Sequence, residues 1–211
     1  MRRARDSGRR FLVIAATLPD TRVMPTQPRA ALWSRRAACR ALLAGAAGVG
    51  LARGARAAAP VPGARRITFH NTHTLESLSV EYCRDGGYCA EALAAVDRVL
   101  RDHRNGAVHP IDPTLLDLLS AAALRVGREA EFEVISGYRS PASNAALHAR
   151  SRGVAAHSLH MEGRAIDVRL AGCDLARLRD TGLALGRGGV GYYPGAAFVH
   201  LDTGRVRSWS G

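Results

Sequence analysis

Two short segments, Ala165–Leu170 and Phe198–Asp202, alternate apolar and polar residues with a period of two, and in both the polar side carries His or Asp. That period is the mark of a half-buried β-strand. In the first, Ile166, Val168 and Leu170 share one face, and Ala165, Asp167 and Arg169 share the other. In the second, Val199 and Leu201 oppose His200 and Asp202. A chain built this way needs a sheet with one face in a core and metal-ligating or titratable groups on the other.

The rest of the pattern supplies that core. Ile67–His73 and Leu78–Tyr82 read as a strand pair, and Glu131–Ser136 as a further strand. Ala90–His103 has helical spacing at Leu93, Val96, Val99 and Leu100, with Asn105-Gly106 as the stop. Asp112-Pro113 opens a helix that Gly127 ends. Ser140-Pro141 opens another through about Arg150, and Leu175–Leu185 reads as a fourth. The expectation is an α+β domain, one antiparallel sheet with helices packed on it, and no internal repeat.

Charge shows where that domain begins. All 30 basic residues are arginines, and residues 1–57 hold twelve of them against two acids, a net charge of +10. Residues 58–211 are nearly neutral at +2. The overall basicity therefore belongs to the first quarter of the chain, and nucleic-acid binding is not expected of the folded part. Ser34-Arg35-Arg36 precedes the uncharged run Ala41–Leu51, followed by Ala55-Arg56-Ala57, a small-x-small cleavage pattern. Paired arginines before a weakly apolar run resemble a twin-arginine export signal. The run is too short to span a bilayer, which takes roughly 20 residues, so no stable membrane span is expected once the signal is removed. Residues 1–57 are read as the export signal, residues 1–23 as an over-extended start before Met24, and residues 58–211 as the mature domain, bound for the periplasm. In that oxidising compartment Cys83 and Cys89, either side of Asp85-Gly86-Gly87, could pair; two free thiols are the alternative.

The chemistry gathers at three places. In Ser158–Asp167, His160 comes one tight turn, through Gly163, before Asp167. Imidazole nitrogen and carboxylate oxygen form a common pair of zinc ligands. His200 would add a third and leave one position for water, the arrangement of catalytic zinc. Ser136–Pro141 places Arg139 in a turn where a guanidinium can hold a substrate carboxylate or a developing oxyanion.

Ser158–Asp167 has the form SxHxxGxAxD and resembles the signature of zinc D-Ala-D-Ala peptidases, which share a fold with the Hedgehog signalling domain. The order Ser-Gly-Tyr-Arg-Ser from Ser136, then that signature, then a late His is similar as well. Within that superfamily the chain most resembles the murein endopeptidase K family. The motifs are Asn71–Thr74, Leu100–Arg104, Ser136–Asn144, Ser158–Met161, Gly188–Pro194 and Phe198–Trp209, so the resemblance covers about residues 65–210. It implies zinc held by His160, Asp167 and His200, a substrate steadied by Arg139, and hydrolysis of stem-peptide or cross-link amides in peptidoglycan. A carboxypeptidase trimming stems and a zinc-containing wall-binding module without turnover are the rival readings. Many relatives carry an acidic base three residues before the last His, or a His two residues before it; here those positions are Ala197 and Phe198. Asp202, on the face of His200, is the first candidate for the base, with orientation of His200 as its other possible role. His157 and Glu162 follow. His70, His73, His103 and His109 are read as structural.

Overall fold

The computed structural model describes residues 63–151 and 153–211, so the expected export signal and the whole of residues 1–57 lie outside it. Among the described residues, eight strands form a single sheet. In chain order the elements are β1 (Arg65–Asn71), β2 (Ser77–Arg84), β3 (Gly87–Tyr88), α1 (Ala90–Val99), α2 (Pro113–Val126), β4 (Glu131–Ser136) and α3 (Pro141–Arg150), then β5 (Ala165–Leu170), α4 (Leu175–Leu185), β6 (Gly189–Tyr193), β7 (Phe198–Asp202) and β8 (Arg207–Ser210). A short 3-10 helix, Leu159–Glu162, precedes β5. Across the sheet the order is β3-β2-β1-β4-β5-β7-β6-β8. Most neighbours are antiparallel; β1 with β4 and β6 with β8 run parallel. The α+β expectation holds, with those two parallel pairs added.

The alternation read from the sequence decides which face is dry. Ile67, Phe69, Phe132, Val134, Ile166, Val168, Leu170, Val190, Val199 and Leu201 are buried in one continuous core with the apolar sides of α1, α2 and α4. Each large aliphatic or aromatic side chain sealed there contributes about 1.5–3 kcal/mol relative to exposure. The opposite face is polar: Glu133 pairs with Arg169 at 2.9 Å, and His70 lies 2.9 Å from Glu131. On that face the sheet's middle strands carry the candidate site.

The helix ends follow the sequence at α2 and α3. The Asp112 side chain accepts from the Thr114 N–H, Pro113 takes the first helical position, and Gly127 closes α2 in a left-handed conformation. Ser140 caps α3 through the Ser143 N–H. Helix α1 is shorter than its periodicity predicts, ending at Val99 instead of near His103. The carbonyls that would continue it are engaged elsewhere: Asn71 Nδ2 donates to Val99 O, and the Tyr138 N–H to Leu100 O. Asp102 is buried and accepts from the backbone of Arg104 and Ser140, fastening this segment to the Arg139 turn.

Cys83 and Cys89 are free thiols, not a disulfide. Cys83 faces the core with Arg65 Nη2 2.7 Å from its sulfur, whereas Cys89 precedes α1 and contacts Glu91. Strands β6 and β8 were not expected as strands. Glycine dominates the start of β6, and β8 is a short edge that reads as polar. Among the described residues no helix is long and apolar enough to cross a membrane.

Candidate metal centre

Strands β5 and β7 pair antiparallel with Asp167 directly opposite His200. Cross-strand partners on one face have Cβ atoms about 5 Å apart, so the register itself brings the carboxylate to the imidazole. His200 Nδ1 lies 2.8 Å from Asp167 Oδ1. His160 comes from the 3-10 helix, whose entry Ser158 caps. Gly163 ends that helix at φ 66°, and a Cβ there would collide with the Pro110 carbonyl. Only glycine allows so tight a return from His160 into β5. His160 Nε2 then lies 3.3 Å from Asp167 Oδ1 and 3.2 Å from His200 Nδ1.

The other ring nitrogens explain why these atoms face one another. His160 Nδ1 is 2.7 Å from the Gly137 carbonyl, which can only accept, so that nitrogen carries the proton. His200 Nε2 is 3.1 Å from Asp202 Oδ2, which fixes the opposite tautomer in the neutral ring. The lone pairs of His160 Nε2 and His200 Nδ1 are left pointing at the Asp167 oxygen. All three residues are buried, and their ligand atoms lie within 4.8 Å of one another. Two imidazole nitrogens and one carboxylate oxygen, backed by a carbonyl and a second carboxylate, suit zinc.

Charge at the site points the same way. Burial alone would raise the Asp167 carboxyl, but His160 and His200 outweigh it and hold it well below the usual range. Burial also lowers His160, with Asp167 opposing only in part. His200 is raised: burial disfavours its charge, but the carboxylates of Asp167 and Asp202 on its two sides prevail. A pocket that holds two carboxylates around one imidazole stabilises positive charge, whether a proton or a metal ion brings it.

Arg139 stands beside this cluster. Its guanidinium is buried, with Nη2 3.8 Å from Asp167 Oδ2 and Nη1 donating to Asn144 Oδ1 at 3.3 Å. Its backbone N–H donates to the His160 carbonyl, locking the Ser136–Pro141 turn to the 3-10 helix. Asn144 was not singled out as a site residue, yet its Nδ2 also donates to the carbonyls of Ala155 and Ala156. It thereby ties α3, Arg139 and the His157 segment together. The signal available for it was its place at the end of the Ser136–Asn144 motif.

Asp202, weighed as base or as orienting partner of His200, stands behind that ring. It is fully buried on the far side of the His200 ring from the cluster. Oδ1 accepts from the N–H groups of Gly189 and Gly204 and from Arg207 Nη1, and Oδ2 accepts from His200 and Arg207 Nη2. Burial raises its pKa, but these partners overcome that and hold it well below the ordinary carboxylate range. Glu162 pairs with Arg164 at 3.1 Å, away from the cleft. His157 lines the cleft. His70, His73, His103 and His109 lie outside the cluster; His73 stacks on His103, and His109 on Tyr138.

The cluster opens on a cleft of about 390 Å³, walled by Ser151, Gly153–Ala155 and His157–Leu159 on one side and by Tyr193, Phe198, Arg207 and Trp209 on another. The aromatic wall was not identified from the sequence, although Tyr193 and Trp209 fall inside the quoted motifs. Gly191, opposite His200, leaves room for the Trp209 indole; a Cβ there would sit 2.7 Å from the ring.

Comparison with known proteins matches residues 59–209 to the family described as peptidoglycan L,D-endopeptidase MepK. A Haemophilus influenzae protein named probable peptidoglycan L,D-endopeptidase MepK is 44% identical over 151 residues, covering 71% of this chain and 81% of the relative. The Escherichia coli K12 peptidoglycan L,D-endopeptidase MepK is 43% identical over 148 residues, covering 70% of this chain and 81% of the relative. No solved structure matches the chain.

Proposed function

The chain belongs to the peptidoglycan L,D-endopeptidase MepK family of peptidases, and on that footing we propose that it is a zinc-dependent endopeptidase of the periplasm that hydrolyses cross-link amides in murein. The observation that carries the zinc is the convergence of His160 Nε2, Asp167 Oδ1 and His200 Nδ1 on one point at the wall of the cleft. Zinc held there would supply Lewis acidity, polarising a carbonyl and activating water near neutral pH. The relatives' name directs the proposal to a peptide bond between centres of L and D configuration. Export rests on the Arg35-Arg36 pair and the short apolar run behind it.

The chain's own residues divide the remaining work. Gly137 O and Asp202 hold the two imidazoles in the tautomers that present their lone pairs. Asp202 is an orienting partner in this reading, because both its oxygens are occupied and it does not line the cleft. Arg139 faces the cleft with donors to spare and meets negative charge on the substrate. The proton-accepting role falls to His157, which lines the cleft where Asp202 and Glu162 do not.

The test is to incubate the mature protein with a defined cross-linked muropeptide dimer, with and without chelator, beside His157→Gln. Conversion of dimer to two monomers, abolished by chelator and restored by zinc, is the expected result. His157→Gln should keep its zinc and lose turnover. Shortened monomers with intact dimers would mark a carboxypeptidase instead, and unchanged material a binding module.

A further inference from the structure

We propose that Tyr193 is a catalytic residue whose phenolic O–H donates to the scissile carbonyl oxygen as negative charge develops on it. This deepens the peptidase reading and rests on it. Tyr193 ends β6 and lines the cleft that contains the metal cluster and Arg139. Its hydroxyl oxygen lies 2.8 Å from Trp209 Nε1. An indole N–H can only donate, so the phenol is the acceptor in that bond and its own proton is not used there. No other hydrogen bond engages the Tyr193 hydroxyl among the described residues. The Trp209 bond thus occupies one lone pair, limits how the hydroxyl rotates, and leaves its donor free.

The ring is held as firmly as the hydroxyl. It stacks on Phe198, its cross-strand partner, with centroids 4.6 Å apart and planes at 23°. The backbone at Gly211, which donates its N–H to the Tyr192 carbonyl, presses on the ring edge, where a Cβ would collide. Trp209 is fixed in turn: it lies over Gly191, 5.1 Å from the His200 ring, with the Arg207 guanidinium 4.8 Å from its own centroid. The chain from Asp202 through Arg207 to Trp209 and Tyr193 therefore links the group that orients His200 to the phenol. A donor placed in advance is what stabilises an oxyanion, because nothing has to reorganise when the charge appears. Arg139 and Tyr193 both line the cleft onto which His160, Asp167 and His200 open, so one bound substrate can meet both.

The alternative role for these aromatics, a stacking platform for a sugar ring, is not favoured: Tyr193 has one face against Phe198, and Trp209 is packed against Gly191 and Arg207.

The experiment compares the zinc-loaded wild type with Tyr193→Phe and Trp209→Phe. It reads zinc content, kcat and KM on a cross-linked muropeptide, and the Kd of a phosphinate peptide whose tetrahedral oxygens imitate the developing charge. Tyr193→Phe should keep its zinc and its KM, lose about 10²-fold in kcat, and bind the phosphinate weaker by a similar factor. Trp209→Phe, which frees the hydroxyl to rotate, should lose less than Tyr193→Phe. A Tyr193→Phe protein with kcat and phosphinate affinity within twofold of wild type would overturn the proposal. So would a rise in KM with kcat intact, which would make Tyr193 a binding contact only. A wild type that cleaves no muropeptide would instead sink the peptidase reading, and the phosphinate affinities would still decide whether Tyr193 meets an oxyanion.

Discussion

Replacing Asp202 with Asn removes one charge and one acceptor from a fully buried carboxylate that takes five hydrogen bonds. An amide has one acceptor oxygen. Its best orientation keeps that oxygen at the Oδ1 position, facing Gly189 N, Gly204 N and Arg207 Nη1. Its NH₂ group then faces two other donors, His200 Nε2–H and Arg207 Nη2. His200 relieves the conflict by moving its proton to Nδ1, the atom that points at the metal cluster. A metal ion must then displace that proton to bind. Loss of such an outer partner typically weakens metal binding 10–100-fold, about 1.4–2.7 kcal/mol. The lost charge-assisted bonds to Arg207 should cost the metal-free fold about 2 kcal/mol as well. The assay is zinc affinity by competition with a chromogenic chelator, beside turnover across a zinc titration. Asp202→Asn should bind zinc 10–100-fold more weakly, and excess zinc should restore most of the rate. Unchanged zinc affinity with turnover lost at every zinc concentration would exclude the orienting role and make Asp202 the base. Normal affinity together with normal turnover would reject both roles.

Arg139→Ala should retain zinc and lose about 10²–10³ in kcat on muropeptides; full turnover would remove it from the site's chemistry. The His103 imidazole is pushed down to about 4 by burial and by the neighbouring Arg104 and His73 charges. Between its ordinary 6.5 and about 4 the unfolded chain therefore binds more protons, so the metal-free fold loses stability as pH falls through that window. Solvent screening at this partly exposed ring limits the effect to about 1 kcal/mol, and urea melts at pH 7 and 4.5 should show a smaller acid loss in His103→Gln than in wild type. Equal losses would remove His103 as the cause. Changing Arg35 and Arg36 both to Lys should stop the mature form from reaching the periplasm by fractionation; unchanged export would exclude the twin-arginine route.

Particular residues show how far the sequence reached. The period of two in Ala165–Leu170 and Phe198–Asp202 put Asp167 and His200 on polar faces, and both are there. It could not supply the register that sets them opposite each other, because register depends on pairing between segments far apart in the chain. Local chemistry was legible where it is local: Asp112-Pro113, Ser140-Pro141 and Gly163 each act on neighbours within a few residues. Helix α1 ended early because Asn71 and Tyr138, distant in sequence, take the carbonyls of Val99 and Leu100. The same cause hid the place of Asp202. Its position on the polar face of β7 is a property of the strand, but its orientation behind His200 is set by Gly189, Gly204 and Arg207. Strand β6 gives no clear strand pattern because two of its first three residues, Gly189 and Gly191, are glycine and Gly188 precedes them, which weakens any strand signal. Two of the glycines make room for the Asp202 and Trp209 side chains.

The direct test of the metal centre is a crystal structure of the purified mature domain with anomalous difference maps on both sides of the zinc absorption edge. One zinc peak is expected, bonded to His160 Nε2, Asp167 Oδ1 and His200 Nδ1 at about 2.0–2.2 Å, with His200 Nε2 still directed at Asp202. A zinc peak away from these three residues, or ligation by His200 through Nε2, would contradict that assignment.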